Sequence, residues 1–518
     1  MTSFAVIENP HQLTAYEQNK VVFNSLKAAL QRVEHSTADS TLLYEVNFWL
    51  SGVPELPEEW DNYDLIHSGL SLGGAEVFKT LWFTSTNWLF LNPRSDRTAA
   101  SWKATPHWCL IRPGQVRDLG GFDPSYSSGE AALMDLAYRL LTAGGKTGHV
   151  PVECPVKAQL KIPFEDEVNF IYRRVNPKSA FYAVFWSGLT SVKYLRSVKA
   201  FLNARRLAQD VSIQSNLELR LNNTHLLSDQ KSNQVDGFSA IIPTIDRYEY
   251  VQKSIESLLS QRPSPNEIIV VDQTPKDRRM PEVYQKYDSI KVRVCYLDQA
   301  GQSNARNTGV QQAQHDWCLL FDDDAEAREN MIAQHIKVIE SSDAAGSTGV
   351  ALAPWKDRSF ISKGNRVTRL SNLLDTGNCF IKKQAFLSVT GLDRAYDHGS
   401  GADHDLGLRL YLNGEEVIFN PQALHTHYKA QRGGLRTYGV IWRHSISLFG
   451  AFPQPTLVYT IQRFYPKKYW LAQYLKYYFK ADTSNNLFLL VWLWFSMPYR
   501  LIKSVNKSRH IHQQRSVP

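Results

Sequence analysis

The sequence predicts an α/β fold with two similar Rossmann-like domains, each built on a mostly parallel sheet, and a helical C-terminal region. Short apolar runs end in polar residues, as Trp317–Phe321 does before Asp322–Asp324, which is typical of buried strands. Segments with apolar residues at helical spacing, such as Val251–Leu259, lie between these runs. The pattern of the first 160 residues also returns in the same order after residue 236.

Chain length limits the number of domains, and the charge distribution locates the basic part of the chain. With 518 residues, of which 43% are hydrophobic, the chain can form two or three domains with full cores. The formal net charge is +8. Residues 461–518 contain ten Lys or Arg and one acid, Asp482, which gives a net charge of +9. The basic character therefore belongs to the C-terminal region.

Cysteine usage and the hydropathy pattern predict a cytoplasmic protein. The five cysteines form no Cys-x-x-Cys pair and mostly lie in apolar runs, which is typical of a reduced compartment. We expect no secretory signal, because no basic and apolar leader opens the sequence. No apolar run is long enough to predict a membrane span.

Residues 1–160 are predicted as the first domain, a weakened copy of the domain at 236–432. The closest match joins residues 108–140 to residues 378–410, where a strand, a Gly-x-Asp turn and an Asp-containing helix follow one another. A repeat of this length indicates two similar domains. The other matched segments are Ser3–Ile7 with Phe238–Ile242, Ser25–Leu30 with Ser254–Leu259, and Gly69–Ser71 with Gly301–Ser303.

The two copies differ at the predicted strand end. Asn87–Leu91 is matched with Asp316–Leu320, so that Asn92–Arg94 replaces Asp322–Asp324. An arginine there would repel a metal ion rather than bind one. The first domain is therefore predicted to have kept its fold and lost its catalysis.

Residues 161–235 are predicted as a helical connector and linker. Residues 170–206 mix aromatic and basic side chains at helical spacing. The polar run Ser228–Asn233 that follows is typical of a surface linker.

The acidic strand end is the first candidate site. In an open α/β sheet, ligands bind beyond the carboxyl ends of the strands. Asp322 and Asp324 are two residues apart, so on an extended backbone their side chains share one face. Two such carboxylates suit Mg²⁺ or Mn²⁺ shared with a phosphate substrate. The alternative is a solvated acidic turn.

Asp272 and Arg306 are expected near the same edge of the sheet. Asp272 follows the apolar run Glu267–Val271, and Arg306 lies in a predicted helix after Gly301. A carboxylate can accept from a base or a sugar hydroxyl, and a guanidinium matches phosphate geometry. The alternatives are that Asp272 caps a turn and that Arg306 pairs with Asp272.

Taken together, eight short motifs resemble glycosyltransferase family 2, the inverting enzymes of GT-A fold that use nucleotide-sugar donors. The resemblance covers residues 235–430 and, in degenerate form, residues 1–160. It implies two GT-A-like domains, of which the second is catalytic. The motifs are Ile241-Ile242-Pro243-Thr244, Ile269-Val270-Val271-Asp272, Ala305-Arg306-Asn307-x-Gly309, Asp322-x-Asp324, Thr376-Gly377-Asn378, Gly391-Leu392-Asp393, Asp403-x-Asp405 and Pro421-x-Ala423-x-x-x-His427.

The resemblance implies a role for each matched residue and a divalent cation, Mn²⁺ or Mg²⁺, as cofactor. The implied donor contacts are Thr244, Asp272, Arg306, Asp322 and Asp323, and the implied metal ligands are Asp322, Asp324 and His427. Two departures from the family pattern are Gln273, where a second Asp is usual, and Ala402, where an acidic neighbour of Asp403 is usual.

Asp403 is the candidate general base. Inverting transfer needs one carboxylate to take the proton from the acceptor hydroxyl, and Asp403 stands where the resemblance places that group. The alternative is that Asp403 caps the helix that follows it. Of the two nearby histidines, His427 is the candidate ligand, whereas His425 is interpreted as polar packing.

The C-terminal region, residues 433–518, is predicted to be helical. Its aromatic and basic residues favour an anionic membrane surface, and packing on the second domain is the alternative. Nothing else in the sequence supports nucleic-acid binding.

Two functions remain open. The first is transfer of a single sugar to a glycan or lipid-linked acceptor, in cell-surface polysaccharide or lipopolysaccharide synthesis at the cytoplasmic face of the membrane. The second is non-catalytic binding of a nucleotide sugar or glycan.

Overall fold

The computed structural model describes residues 3–515 except for several short segments and two longer ones, 210–224 and 431–449. The remaining gaps are 9–19, 47, 50–53, 55, 85–87, 154–158, 192–193, 228–232, 288–290, 362–364, 372, 398, 480 and 482–486. The predicted linker Ser228–Asn233, apart from Asn233, lies outside the described residues, as do residues 433–449 of the predicted C-terminal region.

The chain forms two compact units. The first contains residues 1–228 with 366–370 and 411–414, and the second contains 229–365, 371–410 and 415–518. Each unit is an α/β structure around one sheet, and the second continues into C-terminal helices. The predicted α/β class with two sheet-based units is thereby confirmed, but the first sheet is mostly antiparallel and not mostly parallel.

The first unit contains seven strands and seven α-helices among its described residues up to Gln209. The strands are β1 (Phe4–Glu8), β2 (Lys20–Phe23), β3 (Thr41–Glu45), β4 (Leu65–His67), β5 (Ala99–Ala100), β6 (Trp108–Ile111) and β7 (Thr147–His149). The helices are α1 (Leu26–His35), α2 (Leu81–Thr84), α3 (Pro113–Asp118), α4 (Gly129–Thr142), α5 (Phe164–Phe170), α6 (Pro177–Ser191) and α7 (Tyr194–Gln209). A π-helical turn, Ile171–Val175, joins α5 to the segment before α6.

The second sheet begins with three strand–helix pairs in which the strands are parallel. The strands of this half are β8 (Phe238–Thr244), β9 (Glu267–Asp272), β10 (Val292–Tyr296) and β11 (Trp317–Phe321). The helices between them are α8 (Tyr248–Leu259), α9 (Glu282–Gln285) and α10 (Gln302–Gln312). Because β8 pairs in parallel with both β9 and β11, the carboxyl ends of these strands meet at one edge.

The remaining strands complete the second sheet, and the C-terminal helices follow in the chain. The strands are β12 (Ala325–Ala327), β13 (Gly346–Leu352), β15 (Asn378–Lys382) and β16 (Val417–His427), with the short β14 (Arg369–Leu370) between β13 and β15 in the chain. The helices are α11 (Met331–Glu340), α12 (Lys383–Ser388), α13 (Ala402–Leu412), α14 (Pro455–Phe464), α15 (Trp470–Phe479), α16 (Leu487–Phe495) and α17 (Met497–Arg515).

Side chains on β11 alternate between two hydrophobic layers. Cys318 and Leu320 pack on one side of the sheet, and Trp317, Leu319 and Phe321 pack on the other. This is the period of two expected for a strand that is buried on both faces. The fully buried β11 places the following carboxylates at the end of a rigid element.

Parts of the two sheets share strand order and pairing. The first sheet runs β2-β1-β3-β6-β4-β7-β5, and the second runs β10-β9-β8-β11-β15-β13-β16-β12. In both, two antiparallel pairs are followed by a parallel pair: β3/β6, β6/β4 and β4/β7 correspond to β11/β15, β15/β13 and β13/β16.

The other end of the first sheet differs from the second. There β1 pairs antiparallel with β2 and β3, whereas β8 is parallel to β11. Of the neighbouring strands described in the first sheet, β4 and β7 alone are parallel. The predicted match of Ser3–Ile7 with Phe238–Ile242 is therefore wrong, because the two strands run in opposite directions relative to their neighbours.

Register also corrects the predicted position of the lost carboxylates. Tyr44 is opposite Trp108 in the first sheet, as Phe321 is opposite Asn378 in the second. Glu45 therefore stands where Asp322 stands. The matched run forms a 3₁₀ turn at Trp88–Phe90, in which Leu89 and Phe90 are buried, and not a strand. A short apolar run suits both structures, and this ambiguity misplaced the comparison at Asn92–Arg94.

No helix among the described residues is long and apolar enough to cross a membrane. Cys109, Cys318 and Cys379 are buried free thiols, and Cys295 is a partly buried one.

Candidate active site

Four strand ends bring the predicted site residues to one edge of the second sheet. Thr244 ends β8 and Asp272 ends β9. Asp322–Asp324 follow β11 directly, and His427 ends β16. His427 reaches the acidic turn because β12, which follows that turn, pairs with β16 and places Ala325 opposite His427.

Asp322, Asp324 and His427 form a cluster that could hold a cation. One ligand atom from each lies within 4.8 Å of the others. His427 Nε2 is 3.3 Å from Asp324 Oδ1, and the Ala430 N–H donates to Asp324 Oδ2 at 2.9 Å. The structure thus brings together all three of the predicted metal ligands.

The charges of this cluster support one another. The hydrogen bond that His427 donates to Asp324 raises the pKa of His427. Burial alone would raise the pKa of Asp324, but the hydrogen bond and charge of His427, with Arg247, outweigh it and hold that pKa at about 2. The imidazole of His427 and the carboxylate of Asp324 thus each favour the charged form of the other.

Arg306 lies against the other carboxylate. Its Nη2 donates to Asp322 Oδ1 at 2.5 Å, and its Nη1 donates to the Gln302 carbonyl at 3.3 Å. The Arg306 side chain is largely buried, and its Nε has no hydrogen-bond partner among the described residues. The Arg306 side chain thus pairs with Asp322, and its Nε–H is left for another acceptor.

Asp323, between the two candidate ligands, points into the protein. Its carboxylate accepts from Thr244 Oγ1 and from Arg247 Nη1, each at 2.8 Å. Burial raises the pKa of Asp323 to about 6, against the attraction of Arg247. Asp323 and Thr244 therefore tie β8 to the turn after β11, and their predicted contact with the donor stays a prediction.

Asp272 is fully buried beneath two tyrosines. Its Oδ2 accepts from the hydroxyls of Tyr248 and Tyr284 at 3.0 and 3.2 Å. Its Oδ1 accepts from the Thr274 N–H at 2.9 Å, which is the turn-capping contact considered from the sequence. Contact of Asp272 with a nucleotide also stays a prediction.

Asp403 lies in the first turn of α13 and is partly exposed. The helix begins at Ala402, so Asp403 occupies an early helical position rather than the residue before the helix. Its Oδ1 accepts from the His404 N–H at 2.9 Å. A carboxylate in this position is favoured by the helix dipole, and it remains open to a substrate.

Asp405 has a different role, because it pairs with an arginine that lies outside the predicted site. Its carboxylate is fully buried and accepts from Arg409 Nε at 2.7 Å and from Arg463 Nη1 at 2.6 Å. The same Arg463 nitrogen donates to Asp393 Oδ2 at 2.8 Å. Arg463 belongs to α14, so this arginine clamp joins α14 to α13.

The first unit contains the same arginine clamp. Asp135 accepts from Arg139 Nε at 2.8 Å and from Arg174 Nε at 2.6 Å. Arg174 Nη2 is also 3.5 Å from Asp123. Arg139 also donates to the carbonyl of Gly121, as its counterpart Arg409 does to that of Gly391.

Sequence reasoning missed three residues near the site, Arg247, Asp375 and Arg463. Burial, followed by the charges of Asp322 and Asp403, raises the pKa of Asp375 to about 6. The Asp-Thr-Gly-Asn sequence at 375–378 was a usable signal for Asp375. Arg463 gave none, because its partners lie 58 and 70 residues earlier in the chain.

The residue before β15 is small enough to leave room beside Asp322. A Cβ at Gly377 would lie 2.5 Å from Asp322 Oδ2. In the first unit, His107 precedes β6 in the same way, and its Nδ1 is 2.6 Å from Glu45 Oε2. The first unit therefore pairs one carboxylate with an imidazole where the second unit has three adjacent aspartates.

His425 is a packing residue, as predicted from the sequence. Its side chain is buried, and its ring lies 5.9 Å from Phe321 and 6.1 Å from His427 between centroids. Burial lowers the pKa of His425 to about 4.

Comparisons with known proteins find a glycosyltransferase domain in the second unit. The model of the family "Glycosyl transferase family 2" matches residues 239–391. Glycosyltransferase GlyA of Streptococcus pneumoniae is 26% identical over 41% of this chain and 33% of its own length. Glucosyl-dolichyl phosphate glucuronosyltransferase of Haloferax volcanii is 24% identical over 36% of this chain and 66% of its own. The chain thus spans a third to two thirds of these curated relatives.

Among solved structures, S. aureus TarS 1–349 in complex with UDP-GlcNAc is 16% identical, with a TM-score of 0.38 over 53% of this chain and 81% of that one. The matched residues 239–391 carry the strand ends at Asp272 and Asp322–Asp324 together with Arg306. The chain therefore contains a glycosyltransferase family 2 domain at residues 239–391.

Proposed function

We propose that the protein transfers a single sugar, with inversion, from a nucleotide-sugar donor to a glycan or lipid-linked acceptor. The observation that carries this proposal is the cluster of Asp322, Asp324 and His427 beside Arg306, within a family 2 domain. Positive charge from a cation and a guanidinium at one strand edge suits a diphosphate.

The residues of the cluster fit a divalent cation such as Mn²⁺ or Mg²⁺. Two carboxylates and one imidazole lie within 4.8 Å of one another, and carboxylate oxygens are preferred ligands of both ions. Asp322, Asp324 and His427 would hold the ion. When bound, a divalent cation would supply positive charge that stabilises the departing diphosphate.

Asp403 would act as general base. The acceptor hydroxyl attacks the anomeric carbon, the bond from that carbon to the diphosphate oxygen breaks, and the hydroxyl proton passes to the Asp403 carboxylate. One attack from the face opposite the leaving group inverts the anomeric configuration. The exposure of Asp403 supports this role, since the buried Asp405 has both oxygens occupied by arginines and Tyr396.

Thr244, Asp272, Arg306, Asp322 and Asp323 remain the proposed donor contacts. The free Nε of Arg306 supports a phosphate contact at this point. Thr244, Asp272 and Asp323 already bond within the chain, so each would contribute through an oxygen that accepts a further hydrogen bond or through backbone position.

We place this reaction at the cytoplasmic face of a membrane, in cell-surface polysaccharide or lipopolysaccharide assembly. The name of the Haloferax relative contains a lipid-linked sugar, which supports a lipid-linked acceptor. The α16–α17 region exposes a line of apolar side chains, Phe488, Val491, Phe495 and Tyr499, while Leu493 and Arg500 of the same region are buried. Contact of the exposed side chains with a membrane is thus compatible with packing of the buried side chains inside the protein.

The test is release of nucleoside diphosphate from a panel of nucleotide sugars with Mn²⁺. We expect turnover of one or a few donors, abolished by EDTA and by Asp324→Ala, because the diphosphate would lose its counterion. Asp298→Ala is the matched control, since Asp298 is an exposed carboxylate of the same unit. Full activity of Asp324→Ala, or full activity in EDTA, would exclude a metal-dependent transferase.

A further inference from the structure

The helices α6 and α7 of the first unit carry large apolar side chains on the outside. Phe181 and Leu189 on α6 are 52% and 67% exposed, and Leu195 and Leu202 on α7 are 85% and 55% exposed. The buried residues of the same helices include four alanines: Ala180, Ala183, Ala200 and Ala204. Burying the small residues and exposing the large ones reverses the usual arrangement of a water-facing helix pair.

The exposed apolar residues of each helix form a line. On α6, Phe181, Phe185 and Leu189 follow one another at intervals of four residues, which places them on one helix face. The two helices are neighbours, because the rings of Phe181 and Phe201 lie 6.0 Å apart between centroids. The lines of α6 and α7 therefore belong to one surface, which we call the α6–α7 surface.

Cations are interspersed with the leucines on α7. Leu195, Lys199, Leu202 and Arg206 lie at spacings of four, three and four residues, and all four are exposed. Aliphatic stems of Lys and Arg can lie along apolar neighbours while their charged ends reach outward. One face of α7 thus combines apolar and cationic groups, as helices at a lipid interface do.

The charge of the segment is entirely positive. Residues 177–209 contain six Lys or Arg and no Asp or Glu. The neighbouring acid Glu165 accepts from Arg196 at 2.7 Å, so this one cation is already paired, whereas Lys199 and Arg206 make no ion pair among the described residues. A surface of this charge is complementary to a continuous anionic one.

We propose that the α6–α7 surface binds an anionic lipid bilayer, with α7 lying in the plane of the headgroups. The sixteen residues of α7 are fewer than the ~20 that a membrane-spanning helix needs, so this helix lies on the bilayer and does not cross it. The proposal concerns the first unit and does not depend on the proposed enzymatic function.

The experiment measures partition of the full chain onto phosphatidylcholine vesicles with and without phosphatidylglycerol. A cation at an anionic surface contributes about 1 kcal/mol, which is about five-fold in the partition coefficient. We therefore expect Lys199→Gln with Arg206→Gln to reduce binding to the anionic vesicles about 25-fold. Leu195→Glu with Leu202→Glu should reduce it at least as far.

The matched control is Lys276→Gln with Arg278→Gln, which removes the same charge from exposed side chains of the second unit. This double variant should bind the vesicles within about two-fold of the unchanged protein, because its changed charges do not belong to the α6–α7 surface and are screened by salt. If Lys199→Gln with Arg206→Gln binds like this control, the proposal is wrong.

A second measurement separates the bilayer from a second copy of the chain as occupant. Analytical ultracentrifugation without lipid should give the same mass for the unchanged protein and for Leu195→Glu with Leu202→Glu. A dimer that these two changes convert to a monomer would assign the α6–α7 surface to a subunit interface and overturn the bilayer proposal.

Discussion

Asp403 and Asp405 lie two residues apart in α13 and have opposite surroundings. Asp403 is partly exposed and bonds to the neighbouring backbone, whereas Asp405 is enclosed by Arg409 and Arg463. An exposed carboxylate can exchange a proton with a substrate. A carboxylate fixed between two guanidinium groups serves the packing of α13.

Asp403→Asn should therefore retain the fold and lose turnover. The amide keeps the shape of the side chain but takes no proton at neutral pH, and loss of a general base costs about 10²–10⁴ in rate. We expect kcat to fall by this factor while donor affinity and Tm stay within error. Steady-state kinetics, donor titration and thermal unfolding measure the three quantities.

Asp405→Asn is the comparison for this experiment. It should lower Tm, because Arg409 would lose its counterion and Arg463 would keep only Asp393. If Asp403→Asn turns over normally and a folded Asp405→Asn protein is inactive, the base has been assigned to the wrong carboxylate.

At the scale of elements, α14 holds α13 in place. Arg463 joins Asp393 and Asp405, and Tyr459 also donates to Asp393 at 2.8 Å. Since Asp403 is two residues from Asp405, the same contacts position the first turn of α13. Arg463 is thus a positioning residue, because it acts through α13 and not on the substrate.

Arg463→Met should lower both stability and turnover. Removing one partner of a buried ion pair costs about 3–5 kcal/mol, and a released first turn would misplace Asp403. Arg463→Lys should restore part of kcat, because one Arg463 nitrogen makes both contacts and an ammonium can replace it. The readouts are urea unfolding and kcat at saturating donor.

Arg174→Met is the control in the first unit, where Arg174 bonds to Asp135 in the same way. It should destabilise the first unit and leave donor turnover intact. Equal loss of kcat in the Arg174 and Arg463 variants would mean that turnover reports general stability and not the position of α13.

A second element-scale prediction concerns His335 of α11. Its ring joins Ser347 of β13 to Asn378 of β15, at 3.0 and 2.9 Å. Burial lowers the pKa of His335 to about 4, against a hydrogen bond with Asn378 that raises it. In the unfolded chain the pKa of this histidine is near its ordinary value of 6.5, so below that pH the unfolded state binds a proton that the native state does not.

The free energy of unfolding should therefore fall as pH decreases from about 6.5 to about 4, by up to ~1.4 kcal/mol per pH unit for this one group. His335→Gln should reduce this slope, measured by urea unfolding at several pH values. His35→Gln, at the exposed end of α1, is the control. A slope that is identical in all three proteins would contradict the assignment to His335.

At the scale of the whole molecule, the two units share half a sheet and an arginine clamp but differ at the strand end. The second unit has three aspartates there, and the first has Glu45 paired with His107. We expect one donor nucleotide per chain in a calorimetric titration with Mn²⁺, and no change in that number for Glu45→Gln. Two equivalents per chain would show that the first unit also binds a donor.

The sequence predicted the second unit well because its signals are local. A fully apolar strand followed at once by Asp322–Asp324 specifies both the strand and the edge to which the carboxylates belong, and His427 follows from the motif that contains it. The predicted metal ligands meet in the structure for this reason.

The remaining errors come from pairings between distant segments. Whether β1 runs parallel or antiparallel to β3 depends on the hydrogen bonds of a sheet and not on the residues of β1 alone. The role of Asp405 depended on Arg463, which is 58 residues away. Neither the direction of β1 nor the contact between Arg463 and Asp405 can be inferred from composition or from residue spacing.

The arginine clamp has a consequence for how the protein can be divided. The family 2 match stops at residue 391, and a division at 432 would look natural from the motifs. A cut at 391 would remove α13 together with Asp393 and Asp405, whereas a cut at 432 would remove Arg463 and leave the buried Asp405 with Arg409. The cut at 432 would also take from Asp393 its contacts with Tyr459 and Arg463. An independently folding transferase fragment must therefore extend through Phe464, so that the smallest autonomous piece includes a helix that carries no recognisable motif.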